Sequence, residues 1–560
     1  MRNKLFLGII YLLLGILILG GCTPISTPTP TTAGVMTVEP NIAMSADANS
    51  PPVHNSVQTI SLKFSEPLDA KSISGAVKLY KIDANGNPNE EPCIVNIDQD
   101  NPALININNQ KVTKFPEGEE YQVIISNSIK SLTGRLLEKT FTGYFATNQN
   151  FILTGNADLN NTRSQIVVIS DLHLGIDDSF TECKQNRPAL VDFLNQIKNS
   201  PNVKELVIAG DMFDEWFIPM DYVLPQPESA LVDAIARNNQ SVVDVINGII
   251  NDGKIKVTYI PGNHDILETA ADFQRIFPGI NQARDQEQGL GTYVTGSKSE
   301  IAIEHGHRYN FFCTPDPISN RNITNNNTSI LPPGYFFTRI ATSSVIEGFP
   351  ATSNTIPVFT PNQKDASQLG YYWYGMIWAG LMSGFPVKES FSSKVIKTNI
   401  DGFTQDYAIN DVIPQQDPTT GIIDVNLYKG IQDTWDQRQT LAGVPVKIDL
   451  KDAITKAMDN GFTDSQAKTQ YFDRDASRRI VVFGHTHVVR LMPFTNLKGE
   501  NTIYANSGTW IDNGQGHPTM TCVVITPPNA DSAVESVNVY QYSANKTLTQ
   551  WEDARVITIR

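Results

Sequence analysis

Gln165-Ile166-Val167-Val168-Ile169-Ser170-Asp171-Leu172-His173 sets a short apolar run directly against a loop that carries a carboxylate and an imidazole one residue apart. A run of this length bounded by polar residues reads as a buried strand. Working outward, Leu190, Phe193, Leu194 and Ile197 follow at helical spacing, Val203–Ala209 reads as a second strand, Ser229–Ile250 as a helix and Ile255–Ile260 as a third strand. Strand and helix in alternation predict an α/β layout of β-α-β units. Ligands of such sheets gather where strands end at their carboxyl side.

The strand-then-donor pattern recurs four more times. Gly210-Asp211-Met212-Phe213-Asp214 follows Glu205–Ala209, and Gly262-Asn263-His264-Asp265 follows Ile255–Ile260. His305-Gly306-His307 follows Glu300–Glu304, and Gly484-His485-Thr486-His487 follows Arg479–Phe483. Carboxylate, imidazole and amide oxygen are donors that suit zinc, iron or manganese. Of the chain's 8 histidines, His173, His264, His305, His485 and His487 all fall in these loops. Any one of them alone reads more readily as structural; their ordered spacing reverses that reading.

The series D-x-H, G-D-x-x-D, G-N-H-D/E, an isolated His and G-H-x-H resembles the calcineurin-like metallophosphoesterase superfamily, with every element present. The resemblance implies a β-sandwich flanked by helices (α/β/β/α) and a metal-dependent phosphoric ester hydrolase. It implies two divalent or trivalent metal ions (Mn, Fe or Zn), the first on Asp171, His173 and His487, the second on Asn263, His305 and His485, with Asp211 bridging. Bridged ions ~3.5–4 Å apart share a hydroxide nucleophile and clamp one phosphoryl group. His264 matches the family's non-ligand histidine, expected to protonate the leaving group or stabilise the transition state, and Asp214 is expected to orient it. His307 either meets substrate or serves a supporting or solvated role. Asn506-Ser507-Gly508-Thr509-Trp510 resembles a strand-end turn common late in this family, and packing is its expected role. His54 and His517 match nothing.

Within the superfamily, Gly210–Trp216 and His305-Gly306-His307 look most like the branch of UDP-diacylglucosamine pyrophosphatases. A nucleotide-sugar pyrophosphatase-like hydrolase is therefore an alternative, beside a phosphomonoesterase or phosphodiesterase. About 175 residues separate His307 from Gly484, far more than a loop needs. A cap-like insert at about 308–475 is expected, with the aromatic segment Tyr371–Met382 as a core-packing helix or as a lid over a base or an acyl chain.

Upstream, Arg2 and Lys4 precede the apolar stretch Leu5–Leu19, which falls short of the ~20 residues that span a bilayer. This is the pattern of an export signal. Its end, Leu19-Gly20-Gly21-Cys22, resembles a lipobox, which implies a lipoprotein signal peptide over 1–21 and an acylated Cys22 at the mature N-terminus. The alternative is an uncleaved anchor. Either places the chain outside the cytoplasm, lipid-anchored at the bacterial cell membrane in the first case.

Residues 22–36, rich in Pro and Thr, read as a tether. From 37 to 150, alternating runs such as Val57–Phe64 and Tyr121–Ile125, with the turn Asn85-Gly86-Asn87-Pro88, predict an all-β sandwich. Phe64-Ser65-Glu66-Pro67-Leu68-Asp69-Ala70 and Ser131-Leu132-Thr133-Gly134 resemble the bacterial Ig-like domains of surface proteins. The metallophosphoesterase domain is expected over 160–560.

A formal charge of −15 gives no global field for a polyanion, and no basic, aromatic-interleaved stripe tracks one, so nucleic acid is not an expected partner. The expected partners are a phosphoester substrate, the membrane through the lipid anchor and, through the Ig-like domain, the cell wall or surface. Cys93, Cys183, Cys313 and Cys522 lack metal-cluster spacing, and their pairing stays open between a bridge and buried thiols. A surface adhesin that uses the fold as a scaffold is the alternative outside enzymes.

Overall fold

The structure, a computed structural model, describes residues 35–147 and 163–558, except 50, 55–56, 84, 117, 286–288, 325–328, 529–532 and 553–554. The expected signal peptide, Cys22 and nearly all of the tether lie outside the described residues, as does the junction between the two expected domains.

The first domain is a two-sheet sandwich. One sheet runs Val38–Pro40, Thr59–Phe64, Leu104–Asn109, Cys93–Ile97, and the other Val53–His54, Phe141–Thr147, Glu120–Ile125, Val77–Ile82, Pro88–Glu90. The alternation read from the sequence is the reason: Ile60, Leu62 and Phe64 point into the core while Ser61 and Lys63 do not. The two motif segments meet in space, where the Glu66 carboxylate accepts from Thr133 Oγ1 at 2.8 Å and from Arg135 Nη1 at 2.7 Å. Met36, at the end of the expected tether, is already buried in this core.

The second domain stacks two sheets. In the first, Gln165–Ile169 lies parallel to Val203–Ala209, which lies parallel to Lys256–Ile260; on its other edge it pairs antiparallel with Thr521–Thr526, followed by Val534–Tyr542. In the second, Ile301–Glu304, Ile480–Phe483 and Asn501–Asn506 run parallel, with Thr292–Thr295 and Arg490–Thr495 as antiparallel edges. Side chains alternate between two cores. Ile166, Val168, Val207, Ile303, Val482 and Ile503 fill the space between the sheets, while Val167, Ile169, Leu206 and Ile208 face the helices outside. Arg187–Asn199 covers that outer face with Leu190, Phe193, Leu194 and Ile197, as its spacing predicts.

One expectation changes and one open question closes. The helix read over Ser229–Ile250 is two, Glu228–Asn238 and Gln240–Asp252. At the break, the buried Asn239 amide donates to Gly175 O and Ile235 O at 2.9 and 2.8 Å, a side-chain bond that competes with the helical ladder. The cysteines left open are all free thiols.

Between His307 and Ile480 the chain is mainly helical, with its longest elements at Pro333–Ile346, Leu369–Gly384 and Ile431–Leu441. Its aromatic residues Tyr335, Tyr374, Trp378 and Trp435 join the same core as the outer helices. Two buried arginines brace it, Arg339 against the body and Arg438 against its own start. Arg339 donates to the carbonyls of Ile218, Pro219, Met220 and Tyr222, and Arg438 to those of Phe311 and Thr314. Among the described residues, no helix is long and apolar enough to cross a membrane.

Candidate metal centre

Each expected donor sits where a strand ends, and the backbone there is strained. Asp171, His173, Asp211, His485 and His487 all hold positive φ, at 53°, 44°, 50°, 67° and 57°. Non-glycine residues rarely adopt this region, and such strain gathers where surrounding structure over-determines a site. The neighbouring glycines are required sterically. A Cβ at Gly262 would lie 2.1 Å from Asp211 Oδ1, and one at Gly210 would lie 2.4 Å from His305 Nδ1.

The donor atoms converge in two groups that share one carboxylate. Asp171, His173, Asp211 and His487 form one; Asp211, His305 and His485 form the other, each with its atoms within 4.8 Å of one another. His173 Nε2 lies 3.1 Å from His487 Nε2, and His487 Nε2 lies 3.2 Å from Asp171 Oδ1. His305 Nε2 lies 3.1 Å from Asp211 Oδ2 and 3.2 Å from Asn263 Oδ1, which brings the amide into the second group. Metal bonds of ~2.0–2.2 Å at tetrahedral or octahedral angles set neighbouring donors roughly 3–3.6 Å apart, so these separations fit ligand edges. Tautomers fit as well: His305 Nδ1 donates to Ala209 O at 2.8 Å and His173 Nδ1 to Asp214 Oδ2 at 2.7 Å, so each Nε2 keeps its lone pair for a cation.

Electrostatics favours positive charge at this point. Burial opposes charge on His173, yet the hydrogen bond and charge of Asp214, with Glu182 and Asp211 beyond, push it up to about 10. Burial opposes charge on His305 too, and Asp211 and Asp171 push it up to about 9. Although burial works the other way, His305 and His264 hold Asp211 well below the usual carboxylate range. The carboxylates demand cationic neighbours, and a divalent ion meets that demand with more charge than a proton.

Asp214 stands behind both halves of the chemistry. It accepts from His173 Nδ1 and also from His264 Nδ1 at 2.9 Å, and the Trp216 and Phe217 backbone N–H groups hold it at 2.9 and 2.7 Å. His264 is thereby fixed against Trp216, ring centroids 4.8 Å apart, with its Nε2 left for the cleft. Burial lowers and Asp214 and Asp211 raise its pKa, with a net upward shift.

Residues 164–335 match the family described as calcineurin-like phosphoesterase, and residues 36–166 the family described as bacterial Ig-like domain. The chain carries a calcineurin-like phosphoesterase domain. The match over 164–335 supports a metal-dependent hydrolase, and the Ig-like match lies ahead of it in the chain. No curated protein matches the chain. Among solved structures, the surface layer protein SbsC (domains 1–6) is 16% identical over 24% of this chain and 17% of its own, with a TM-score of 0.16. PcoC, a methionine-rich copper resistance protein from Escherichia coli, is 19% identical over 18% of this chain and 89% of its own, with a TM-score of 0.15. Chitinase ChiW from Paenibacillus sp. str. FPU-7 is 10% identical over 44% and 32%, with a TM-score of 0.14. Likeness at this level carries no inference about function.

Around the phosphoesterase donors lies a cleft of about 250 Å³. Asp211, Asn263, His264, His485 and His487 line its floor; Asp171, His173 and His305 are buried behind it. His307 does not reach it: it is buried and its Nε2 donates to Gly289 O at 2.8 Å, which settles it as a supporting residue. Asn506–Trp510 forms a brace. Asn506 Nδ2 donates to Gly484 O, while Thr509 Oγ1 and Trp510 N donate to Asp171 O, so this turn locks two donor loops together. The rim was not foreseen. Phe312 and Phe337, Met458 and Thr463, and a loop with Asn513, Gln515 and His517 all line the cleft. No motif marks them, because they come from a helical insert and an irregular loop.

Proposed function

We propose that this protein is an exported, lipid-anchored phosphoesterase that hydrolyses phosphomonoester or phosphodiester bonds at a pair of metal ions held by Asp171, His173, Asp211, Asn263, His305, His485 and His487. The observation that carries this reading is the pair of donor groups joined at Asp211, opening into one cleft with His264. When bound there, such ions supply Lewis acidity toward a phosphoryl group and acidify water. The chain's own residues do the rest. Asp214 holds His173 and His264 in one geometry, so that a ligand ring and a proton-donor ring move together. His264 faces the cleft beside Asp211 and gives its proton to the leaving oxygen, while Trp216 at its back excludes water.

Purified protein supplied with Mn or Zn is expected to cleave p-nitrophenyl phosphate or its bis-ester. Asp211→Asn is expected to remove most of that activity, and His264→Ala to lower kcat by about 100- to 10,000-fold. Activity unchanged in both variants would sink the reading.

The Ig-like domain supports a second reading, a surface adhesin with the phosphoesterase fold as scaffold. A chain that binds no metal and cleaves no phosphoester in a broad panel would favour it.

A further inference from the structure

An apolar groove of about 640 Å³ runs along the helix Leu369–Gly384 in the insert. Ile356, Phe359, Tyr372, Ile377 and Phe385 contribute to it, and among the described residues no charged side chain lines it. The hydroxyl of Ser383 is turned back to Ala379 O at 2.9 Å. The groove adjoins the metal cleft, because Leu381 and Met458 line both. Sixteen residues of almost wholly apolar helix ordinarily sit in a core, yet here Met376 is 46% exposed and Val358, across the groove, 84%. Exposed apolar surface of this kind marks a binding site.

Two glycines of this helix differ in an informative way. At Gly375 a Cβ would press on the Phe359 ring at 2.9 Å, whereas at Gly380 it would meet nothing within 4 Å. Gly380 weakens the helix by roughly 1 kcal/mol relative to alanine without any packing need. What it does is leave the groove open.

We propose that the groove is the second half of the substrate site and takes the aliphatic chain of an amphiphilic phosphoester whose phosphoryl group lies over the donor cleft. This rests on the phosphoesterase reading above. For an alkyl phosphate, water forms the new P–O bond, the P–O bond to the alkoxide breaks, and the alkoxide takes up one proton to leave as the alcohol. The occupant is a single ligand chain and not a bilayer, because the groove shares Leu381 and Met458 with the donor cleft.

The test uses purified full-length protein, wild type, Gly380→Phe and Gly380→Ala, with a series from ethyl to decyl phosphate below micelle-forming concentrations. In wild type and Gly380→Ala, kcat/KM is expected to rise about two- to fourfold per methylene over the first several, the range set by burying a CH2 group. In Gly380→Phe the rise is flattened, with metal content and thermal melt as in wild type. Calorimetric titration with decyl phosphate reads the groove without turnover, and at least about tenfold weaker binding is expected in Gly380→Phe. Chain-dependent binding without hydrolysis would uphold the groove and remove the phosphoesterase reading. Hydrolysis with no chain dependence, or equal slopes in wild type and Gly380→Phe, would overturn the inference. So would sedimentation with phosphatidylcholine vesicles but no binding of monomeric decyl phosphate, which would mark a membrane contact.

Discussion

A single carboxylate, Asp214, sets the geometry of a ligand ring and a proton-donor ring at once, so its replacement tests more than its own charge. Asp214→Asn keeps the size of the side chain but loses one acceptor oxygen, and either His173 or His264 is left without its partner. The expected result is a fall in kcat of about 100-fold or more together with weaker metal retention, read by kinetics and by metal content after dialysis. Outside the donor set, Asp401 is buried, and burial raises it to about 7 although the Leu331 and Ile330 amides and Ser329 pull it down. A folded pKa above the unfolded value means that the folded state binds the extra proton. Its stabilising effect is therefore complete below about 4 and is lost as pH rises toward 7. Thermal melts across that window should show Tm falling with pH in wild type and a shallower fall in Asp401→Asn. Identical slopes would contradict the assignment. At this scale the sequence was most informative, because each donor stands at a fixed offset from an apolar run. It was silent on Trp216 as the backstop of His264 and on His517 at the rim, since neither chemistry nor spacing distinguishes them from packing or surface residues.

Elements differ in how plainly they announce themselves. Strands such as Val203–Ala209 were legible because an apolar run ends in a donor loop. The break at Asn239 was not, because the apolar spacing continues across it, while the Asn239 amide bonds Gly175 O and Ile235 O where the first helix ends. The insert was legible as an excess of length and no more: beside its apolar contacts, Arg339 ties it to carbonyls of the body, and no sequence pattern encodes that. Arg339→Met should expose this tie. It leaves four carbonyls between residues 218 and 222, two of them buried, without their shared donor. A loss of about 3 kcal/mol or more is expected by urea denaturation, with the cleft wall next to Trp216 loosened and KM raised. Unchanged stability would show that the insert is held by its apolar contacts alone.

For the whole molecule, the proposal joins a chain anchored at Cys22, an Ig-like domain and a phosphoesterase whose substrate reach is set by the insert. Metabolic labelling with palmitate is expected to tag the wild-type protein and not Cys22→Ser; no label in wild type, or equal label in both, would contradict lipid anchoring. The central claim is that Asp211 joins two metal ions in one centre. Electron paramagnetic resonance of the Mn-loaded protein, read beside its metal content, tests this most directly. Two Mn per chain with an exchange-coupled spectrum, replaced in Asp211→Asn by an uncoupled signal, is the predicted result; one Mn per chain with the isolated six-line signal in wild type would contradict it.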